Sequence, residues 1–310
     1  MSKPVNVISL SGGKDSTAMA ILSKEREGEM KYVFADTGHE HPATYDYIEY
    51  LRSALDISID VVKSDFTAQI ARKRIVVETK WRKEGVDEKI IDNALSVLHP
   101  TGIPYLDLCL WKGRFPSTQA QFCTQELKSA PLHEYLDDLI DRPAVISWQG
   151  IRSDESRRRS TLEMYDVEVG SWEPKPSGML IYRPIINWTV EDVFAKHTEA
   201  GIEPNPLYKK GMGRVGCMPC INARKGELRG IAQHFPEVID RVREWERLVG
   251  LASKRGRASF FSDDSVRGMG IDEHAEWSKT VQGGRKYDLI HAIELTDPPP
   301  VCTSIYGLCE

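Results

Sequence analysis

The chain has 310 residues, of which 41% are hydrophobic and 28% are charged, and its formal net charge is −5. These values are ordinary for a globular protein and suggest one large domain, or one domain with an appendage. No apolar run approaches the ~18 residues of a membrane span, and the amino terminus lacks the apolar core of a signal peptide. We therefore expect a cytoplasmic protein without a membrane partner, whose six cysteines act as thiols or metal ligands.

The first predicted element is a buried strand over Val5–Leu10, where aliphatic and β-branched residues form a short run. A turn of sequence SGGKDS follows, and a helix is predicted over Thr17–Glu27. Two glycines let the backbone approach a phosphate, and the start of the helix presents unpaired N–H groups. An ordinary βα turn is the alternative. We interpret the segment as a phosphate site formed by Ser9, Ser11, Gly12, Gly13, Lys14, Asp15 and Ser16.

Further strands are predicted at Lys31–Ala35 and Ile57–Val62, on either side of a helix that starts at Pro42. Strands that alternate with helices predict an α/β fold with a doubly wound, mostly parallel sheet, to which we add a helical C-terminal appendage. Ligands of such sheets bind at the carboxyl ends of the strands. Asp36–Gly38 follows the second strand at that edge. Asp36 is therefore a candidate for binding a ribose hydroxyl or Mg²⁺, with helix capping as the alternative.

Residues 66–120 interrupt this alternation, and we interpret them as an insertion over the same edge of the sheet. Lys80–Leu98 has helical character, whereas prolines and glycines over residues 99–118 favour a loop. Three polar side chains of that loop are candidates for contact with a substrate, although a solvated loop explains them equally well: Lys112, Arg114 and Ser117.

A helix is predicted from Phe122 to about Asp141, and a strand over Ala144–Trp148 follows. Beyond this strand, four arginines occur within eight residues. The planar guanidinium group matches phosphate and sulfate. A solvated run of charge is the alternative, but the position at the same sheet edge favours anion binding. The candidates are Gly150, Arg152, Arg157 and Arg158.

The remaining chain contains a predicted strand over Leu180–Ile186 and a helix with Thr189 as its N-cap. Glu227–Lys254 is mostly helical, residues 255–286 are rich in glycine and arginine and are expected to be mobile, and the proline-rich tail cannot be one continuous helix. We therefore divide the chain into a nucleotide-binding domain over residues 1–225 and a helical accessory region with a cysteine-containing tail over residues 226–310.

Several segments together resemble the phosphoadenosine phosphosulfate (PAPS) reductase family, within the PP-loop ATP-pyrophosphatase (adenine nucleotide α-hydrolase) superfamily. SGGKDS resembles the PP-loop motif SGGxDS. Five more stretches resemble family motifs in the same order: FADTGHEHPATYDYI, FCTQELKSAP, SWQGIRSDESRRRS, YRPIINWTVEDVF and IEPNPLYKKGMGRVGCMPC. The resemblance implies that an adenine nucleotide lies at residues 11–16 and at Asp36, Thr37 and Gly38. It also implies that Lys128, Arg152, Arg157 and Arg158 face its sulfate or phosphate end.

Three departures from the family pattern change the reaction that we expect. One is that iron–sulfur reductases have adjacent cysteines where this sequence has Cys123-Thr124. Sulfonucleotide reductases usually have a degenerate PP-loop and a catalytic cysteine in a C-terminal E-C-G-L-H motif. Here Lys14 and Asp15 are both present, and the chain ends in YGLCE. The similarity to ATP-cleaving members and to DNA phosphorothioation sulfurtransferases implies ATP-dependent sulfur transfer with ATP and Mg²⁺. The candidate catalytic residues are Lys14, Asp15, Cys123, Lys128 and Arg152.

The resemblance also implies partners for this reaction. The acceptor would be a nucleic acid or a small molecule, and the sulfur donor a protein such as a cysteine desulfurase or a thioredoxin-like protein. Because the net charge is −5, nucleic acid would need a local basic patch.

Cys217-x-x-Cys220 supplies half of a four-ligand site for Zn²⁺ or a [4Fe–4S] cluster. We expect Cys302 and Cys309 to complete it. The competing set joins Cys217 and Cys220 to Cys123, with Cys109 or a non-cysteine ligand, and unligated thiols are the third interpretation. If Cys123 stays free, we expect nearby cations to lower its pKa, so that its thiolate accepts or relays sulfur.

Two other functions stay open at this point. The first is a thiol-dependent reductase of PAPS or adenylyl sulfate with Cys309 or Cys123 as nucleophile. The second is a non-catalytic nucleotide- or DNA-binding module, whose DNA affinity would depend on salt through Arg157–Arg159 and Arg255–Arg257.

Overall fold

The computed structural model describes residues 4–139, 145–168, 179–261 and 270–281. Its six strands are β1 Val5–Leu10, β2 Glu29–Ala35, β3 Ile59–Val62, β4 Val145–Trp148, β5 Tyr165–Glu168 and β6 Met179–Tyr182. They form one sheet in the order β3-β2-β1-β4-β6-β5, in which only the edge strand β5 runs antiparallel to its neighbour. The predicted α/β fold with a mostly parallel sheet is thus confirmed.

Helices cover both faces of this sheet and build the C-terminal region of the described chain. They are α1 Lys14–Lys24, α2 Pro42–Leu55, α3 Thr67–Val76, α4 Glu88–Val97, α5 Pro104–Lys112, α6 Phe122–Thr124, α7 Ala130–Asp137, α8 Val190–Glu199, α9 Pro206–Lys209, α10 Lys225–His234, α11 Pro236–Leu251 and α12 Ile271–Ser278. Five-residue π-helical segments follow α3 and α6 directly. Among the helices described, none has both the length and the apolar character that crossing a membrane demands.

Strand β1 lies at the centre of the sheet, between β2 and β4. Val5 and Val7 pack on the face that α7 covers, whereas Ile8 and Leu10 pack with residues of α1 and α2 on the other face. The strand order reverses at β1, because α1 and α2 cover one face beside β2 and α7, which precedes β4, covers the other face. Ligands of such sheets bind at the carboxyl end of the strand at this point. The glycine turn after β1 occupies that position.

The largest apolar cluster of the described residues lies beside the sheet, where α3, α4 and α5 pack with α10, α11 and α12. Tyr105 and Trp245 stack in it, with ring centroids 5.7 Å apart. The segment that we predicted as an insertion therefore shares a core with the C-terminal helices. The proposed domain boundary near residue 225 stays a prediction.

The prediction of a loop over residues 99–118 is wrong, because α5 lies inside it. Pro104 starts this helix at a position where no N–H is needed, and Gly113 ends it with φ +65°. Seven consecutive residues from Pro104 to Leu110 are buried, so the helix has no polar face and no helical periodicity that the sequence could reveal.

Other boundaries also differ from prediction. Helix α1 begins at Lys14 rather than Thr17, and β6 ends at Tyr182 because the chain turns away from the sheet at Arg183. The mobile segment expected over residues 255–286 contains α12, whose start is held by Glu246 accepting the Ile271 N–H at 2.9 Å. The capping of α8 by Thr189 and the helical character of Glu227–Lys254 are confirmed. The predicted ends at Asp141 and Ala144 lie outside the described residues.

Candidate nucleotide-binding site

The turn after β1 brings its backbone against α2 at a point where only glycine fits. Gly12 has φ +71°, and a Cβ placed on it would lie 2.8 Å from Cγ2 of Thr44. Ser16 closes the turn, since its hydroxyl donates to the Gly13 carbonyl at 3.0 Å and accepts the Ser11 N–H at 3.1 Å. Ser9 lies in β1 beside Val33 of β2. The result is a compact bend at the N-terminus of α1, where helix dipoles favour an anion.

Three side chains that we did not predict as site residues hold this turn from the other half of the chain. Asn205 donates from Nδ2 to the Gly12 carbonyl at 3.1 Å, and the Tyr208 hydroxyl accepts the Lys14 backbone N–H at 2.9 Å. His197 Nε2 lies 2.9 Å from the Lys14 carbonyl oxygen. The N-P-L-Y motif was the sequence signal for two of them, but it gave no indication of what they contact.

Lys14, Asp15 and Arg152 meet at the mouth of the turn. Lys14 Nζ lies 3.3 Å from Asp15 Oδ2, and Arg152 Nε lies 2.9 Å from Asp15 Oδ1. Lys14 is 7% exposed and Arg152 is 3% exposed. Arg152 Nη2 also pairs with Asp154 at 3.2 Å, whereas Nη1 has no hydrogen-bond partner in the described part of the chain. A buried guanidinium with a spare donor beside a helix N-terminus is suited to a phosphate oxygen.

Of the four clustered arginines, the structure brings Arg152 to the turn. Gly150 places this segment on α1, because a Cβ at Gly150 would lie 3.0 Å from the Met19 methyl carbon. Arg157 and Arg158 are exposed, and Arg159 pairs with Glu155. A role for Arg157 and Arg158 in nucleotide binding stays a prediction.

Asp36 lies at the end of β2 with both carboxylate oxygens engaged. Its Oδ1 accepts the Gly38 N–H and the Tyr45 hydroxyl, each at 2.8 Å, and its Oδ2 pairs with Lys63 Nζ at 2.6 Å. The carboxylate thereby caps the turn that carries Thr37, whereas α2 is capped by His41, so the alternative interpretation of Asp36 as a helix cap is wrong. A ribose or Mg²⁺ would have to compete with these partners.

A second polar cluster continues from this turn. The Thr37 hydroxyl donates to Glu40 Oε1 at 2.8 Å, and Cys217 Sγ lies 3.5 Å from Thr37 Oγ1 and 3.8 Å from Glu40 Oε1. The negative charge that Cys217 would carry as a thiolate raises the pKa of Lys128, and Glu40 adds to this effect. Lys128 therefore stays protonated beside these groups.

Neither Cys217 nor Cys123 has a lowered pKa, although we expected one for Cys123. Burial raises the pKa of Cys217 to about 11, against a lowering by Lys128. Burial also raises the pKa of Cys123, so the predicted low pKa of this thiol is wrong. The reason is that the loss of hydration outweighs the neighbouring Lys128.

The described cysteines surround Tyr105. Burial raises the pKa of this phenol, and the charges of Cys109, Cys123, Cys217 and Cys220 add to the shift. Within residues 4–139, 145–168, 179–261 and 270–281, however, no three His, Cys, Asp or Glu side chains are placed to hold one metal ion. Cys302 and Cys309 of the preferred ligand set lie outside these ranges.

The candidates from the insertion make local contacts. Lys112 pairs with Glu126 at 3.1 Å, the Arg114 guanidinium lies over Phe122 at 5.4 Å, and the Ser117 hydroxyl accepts the Ala120 N–H at 3.1 Å. The insertion does reach the sheet edge, because the Tyr105 N–H donates to the Thr37 carbonyl at 2.9 Å.

Residues 5–96 and 107–223 match the family described as the phosphoadenosine phosphosulfate reductase domain. An uncharacterized 37.8 kDa protein of Escherichia phage 186 is 45% identical over 99% of this chain and 97% of its own length. A phosphoadenosine 5′-phosphosulfate reductase of Vibrio vulnificus is 21% identical over 68% of this chain and 64% of its own length.

Among solved structures, the PAPS reductase of Candida auris in a phosphate complex aligns with a TM-score of 0.41 and 18% identity, covering 69% of this chain and 81% of that one. The two matched ranges contain the glycine turn, Asp36, Arg152 and the Cys217–Cys220 loop. The chain therefore belongs to the PAPS reductase family of the PP-loop superfamily.

Proposed function

We propose that this protein cleaves ATP between its α- and β-phosphates to activate a substrate oxygen, which sulfur then replaces. The observation that carries the proposal is the cluster at the PP-loop, where Asp15 contacts both Lys14 and Arg152 at the N-terminus of α1. Two cations beside the phosphates can stabilise the charge that develops on a leaving pyrophosphate as well as hold the nucleotide.

The loop would act on the leaving group. A phosphate chain over Gly12 and Gly13 would meet backbone N–H groups, the dipole of α1 and the Lys14 ammonium. Arg152 Nη1 would supply a further donor from a buried position. Such fixed donors stabilise the negative charge that develops on pyrophosphate as its bond to the α-phosphorus breaks. Before ATP binds, Asp15 keeps both cations in place.

The reaction balances without an external oxidant or reductant. The substrate oxygen attacks the α-phosphorus, the bond from that phosphorus to the bridging oxygen breaks, and pyrophosphate leaves. A sulfide-level sulfur nucleophile then forms a bond to the substrate atom that carried the oxygen. AMP leaves with that oxygen, so the substrate exchanges oxygen for sulfur.

The cysteines beside the Thr37–Glu40 turn would line the place where the sulfide nucleophile meets the activated substrate. Cys217 contacts this turn, and Lys128 provides the positive charge that favours its thiolate. We keep Cys217, Cys220, Cys302 and Cys309 as the proposed ligands of a Zn²⁺ ion or a [4Fe–4S] cluster. The described residues do not by themselves form such a site, and the proposed reaction includes no step on a metal.

The test is product analysis with ATP labelled at the α-phosphate. The protein is incubated under anaerobic, reducing conditions with sodium sulfide and with total tRNA, DNA fragments or a small-molecule extract as acceptors. We expect labelled AMP that depends on the acceptor, and its loss in Lys14→Ala and Arg152→Gln. The matched control is Arg247→Gln, an exposed arginine of α11 that pairs with Glu244, and it should retain activity. Absence of AMP with every acceptor would contradict the proposal.

A thiol-dependent sulfonucleotide reductase is the second candidate. The thiols beside Lys128 favour it, as do relatives named adenosine 5′-phosphosulfate reductase and phosphoadenosine 5′-phosphosulfate reductase. Release of sulfite from PAPS with thioredoxin would support this function. Loss of that release in Cys123→Ser or Cys309→Ser, but not in Lys14→Ala, would separate it from the first candidate.

A further inference from the structure

We propose a second ligand site, which binds a planar heteroaromatic ring with an N–H donor, of the nucleobase type. The site is a cavity of about 330 Å³. Two residues that line it, Ile221 and Ala223, directly follow the Cys217–Cys220 loop. Most of the other walls come from residues beyond 223, where the match to the family domain ends. The cavity is thus built largely by this chain's C-terminal helices.

Aromatic faces form one side of the cavity. Phe260 and Phe261 meet edge to face with ring centroids 5.0 Å apart, and Phe261 lies 5.2 Å from the His274 ring. Trp277 completes this wall and is 37% exposed, although large aromatic side chains gain from burial. A flat ring that stacks on Trp277 would cover that exposed surface, as bases do on aromatic side chains.

His274 Nε2 can accept a hydrogen bond, but no described residue donates one to it. The residue is 4% exposed, and its Nδ1 lies 3.0 Å from the Gly270 carbonyl oxygen, to which it can only donate. In the tautomer that carries its single proton on Nδ1, the lone pair lies on Nε2, and this atom has no hydrogen-bond partner among the described residues. A buried acceptor without a donor is unfavourable. A ligand N–H, such as an amide or exocyclic amine of a base, would satisfy it.

The cavity also carries a positive charge. Lys225 lines it, with Nζ 4.5 Å from the Trp277 ring centroid and 2.7 Å from the Thr280 hydroxyl oxygen. Because this ammonium lies over one face of the Trp277 ring, a base would stack on the opposite face or displace it, and the ammonium would pair with a phosphate joined to the base. The same chemistry is offered by a free mononucleotide and by a base in a nucleic acid strand.

Binding is measured on Lys14→Ala/Arg152→Gln protein, because its disabled PP-loop cannot account for the signal. The probes are UMP, GMP and AMP in calorimetry, and labelled 12-residue single-stranded RNA and DNA in fluorescence anisotropy. We expect saturable binding of at least one probe. A strand as the natural ligand would bind more tightly than every mononucleotide, with affinity that falls as salt rises. Equal affinity would identify the free nucleotide.

Variants then locate the ligand. Trp277→Ala should weaken binding by about fivefold or more, since stacking contributes ~1–3 kcal/mol per base. His274→Phe keeps the ring but removes the acceptor and should weaken binding about fivefold, whereas His274→Gln, which restores an acceptor oxygen, should lose less. His99→Gln, an exposed histidine elsewhere, is the control.

The proposal is overturned if the folded double variant binds none of the probes, or if Trp277→Ala leaves their affinity unchanged. Should His274→Phe fail to fold, the partly exposed Trp277 still provides the test. Because the PP-loop is disabled throughout, failure here is separate from failure of the proposed ATP cleavage.

Discussion

Substitution of Gly12 by alanine tests whether the glycine turn must lie close to α2. Two costs follow from the structure. A φ of +71° disfavours an L-residue by about 1–2 kcal/mol, and a Cβ 2.8 Å from Thr44 Cγ2 adds an overpacking cost of about 1–3 kcal/mol. Thr44 is fully buried. We expect the free energy of unfolding to fall by the sum of these costs.

Gly201→Ala is the matched control for this experiment. Gly201 has φ +66°, but a Cβ there would meet no atom of the described residues within 4 Å, so its variant carries the backbone cost alone. The effect of alanine on the unfolded chain is the same in both variants and cancels in the comparison. Urea denaturation should therefore show Gly12→Ala as less stable than Gly201→Ala by about 1–3 kcal/mol.

Nucleotide affinity gives a second readout of the same pair. The shifted turn should bind ATP about tenfold more weakly in Gly12→Ala, which corresponds to ~1.4 kcal/mol. Gly201→Ala should bind ATP as the wild-type protein does. If the two variants have equal stability and equal ATP affinity, the turn does not need the close approach and the argument from Gly12 fails.

Three further results are expected. Tyr208→Phe removes the acceptor of the Lys14 N–H and should lower the free energy of unfolding by about 1–2 kcal/mol in urea titrations, with weaker ATP binding. Burial lowers the pKa of His197 below 6.5, so His197 binds a proton more readily in the unfolded chain than in the folded one. The contribution of neutral His197 to the free energy of unfolding should therefore be fully present above about pH 6.5 and decline as the pH falls toward the folded-state pKa. His197→Gln, which keeps an N–H donor for the Lys14 carbonyl, should flatten that decline in urea titrations from pH 7.5 to 5. Thr189→Ala removes the capping hydroxyl of α8 and should lower the free energy of unfolding in urea by about 1 kcal/mol. An unchanged midpoint of urea denaturation would contradict this role.

The sheet was predictable because its signals are local. Val5–Leu10 is apolar on both faces, and the next strands recur at the spacing of βαβ units. Helix α5 was not predictable, since its sides are buried all round and its flanking glycines and proline resemble a loop. Strand β5 is a short exposed edge strand, and its tyrosine, aspartate, valine and glutamate gave too little pattern to identify it.

Some residues of the candidate site could also be predicted from local sequence, and others could not. SGGKDS identified the anion turn, and the arginine cluster drew attention to Arg152, but the sequence could not distinguish Arg152 from its exposed neighbours. Asn205 and Tyr208 contact the turn across more than 190 positions of sequence, which no local pattern encodes. The pKa of Cys123 was mispredicted because its burial is a tertiary property.

The most direct test of the central claim is a crystal structure with a non-hydrolysable ATP analogue. The account predicts phosphate oxygens within hydrogen-bond distance of the Gly13 N–H, Lys14 Nζ and Arg152 Nη1, with the α-phosphorus open to an attacking oxygen. A nucleotide bound elsewhere, with Lys14 and Arg152 still paired to Asp15 and no phosphate oxygen near either side chain, would contradict it.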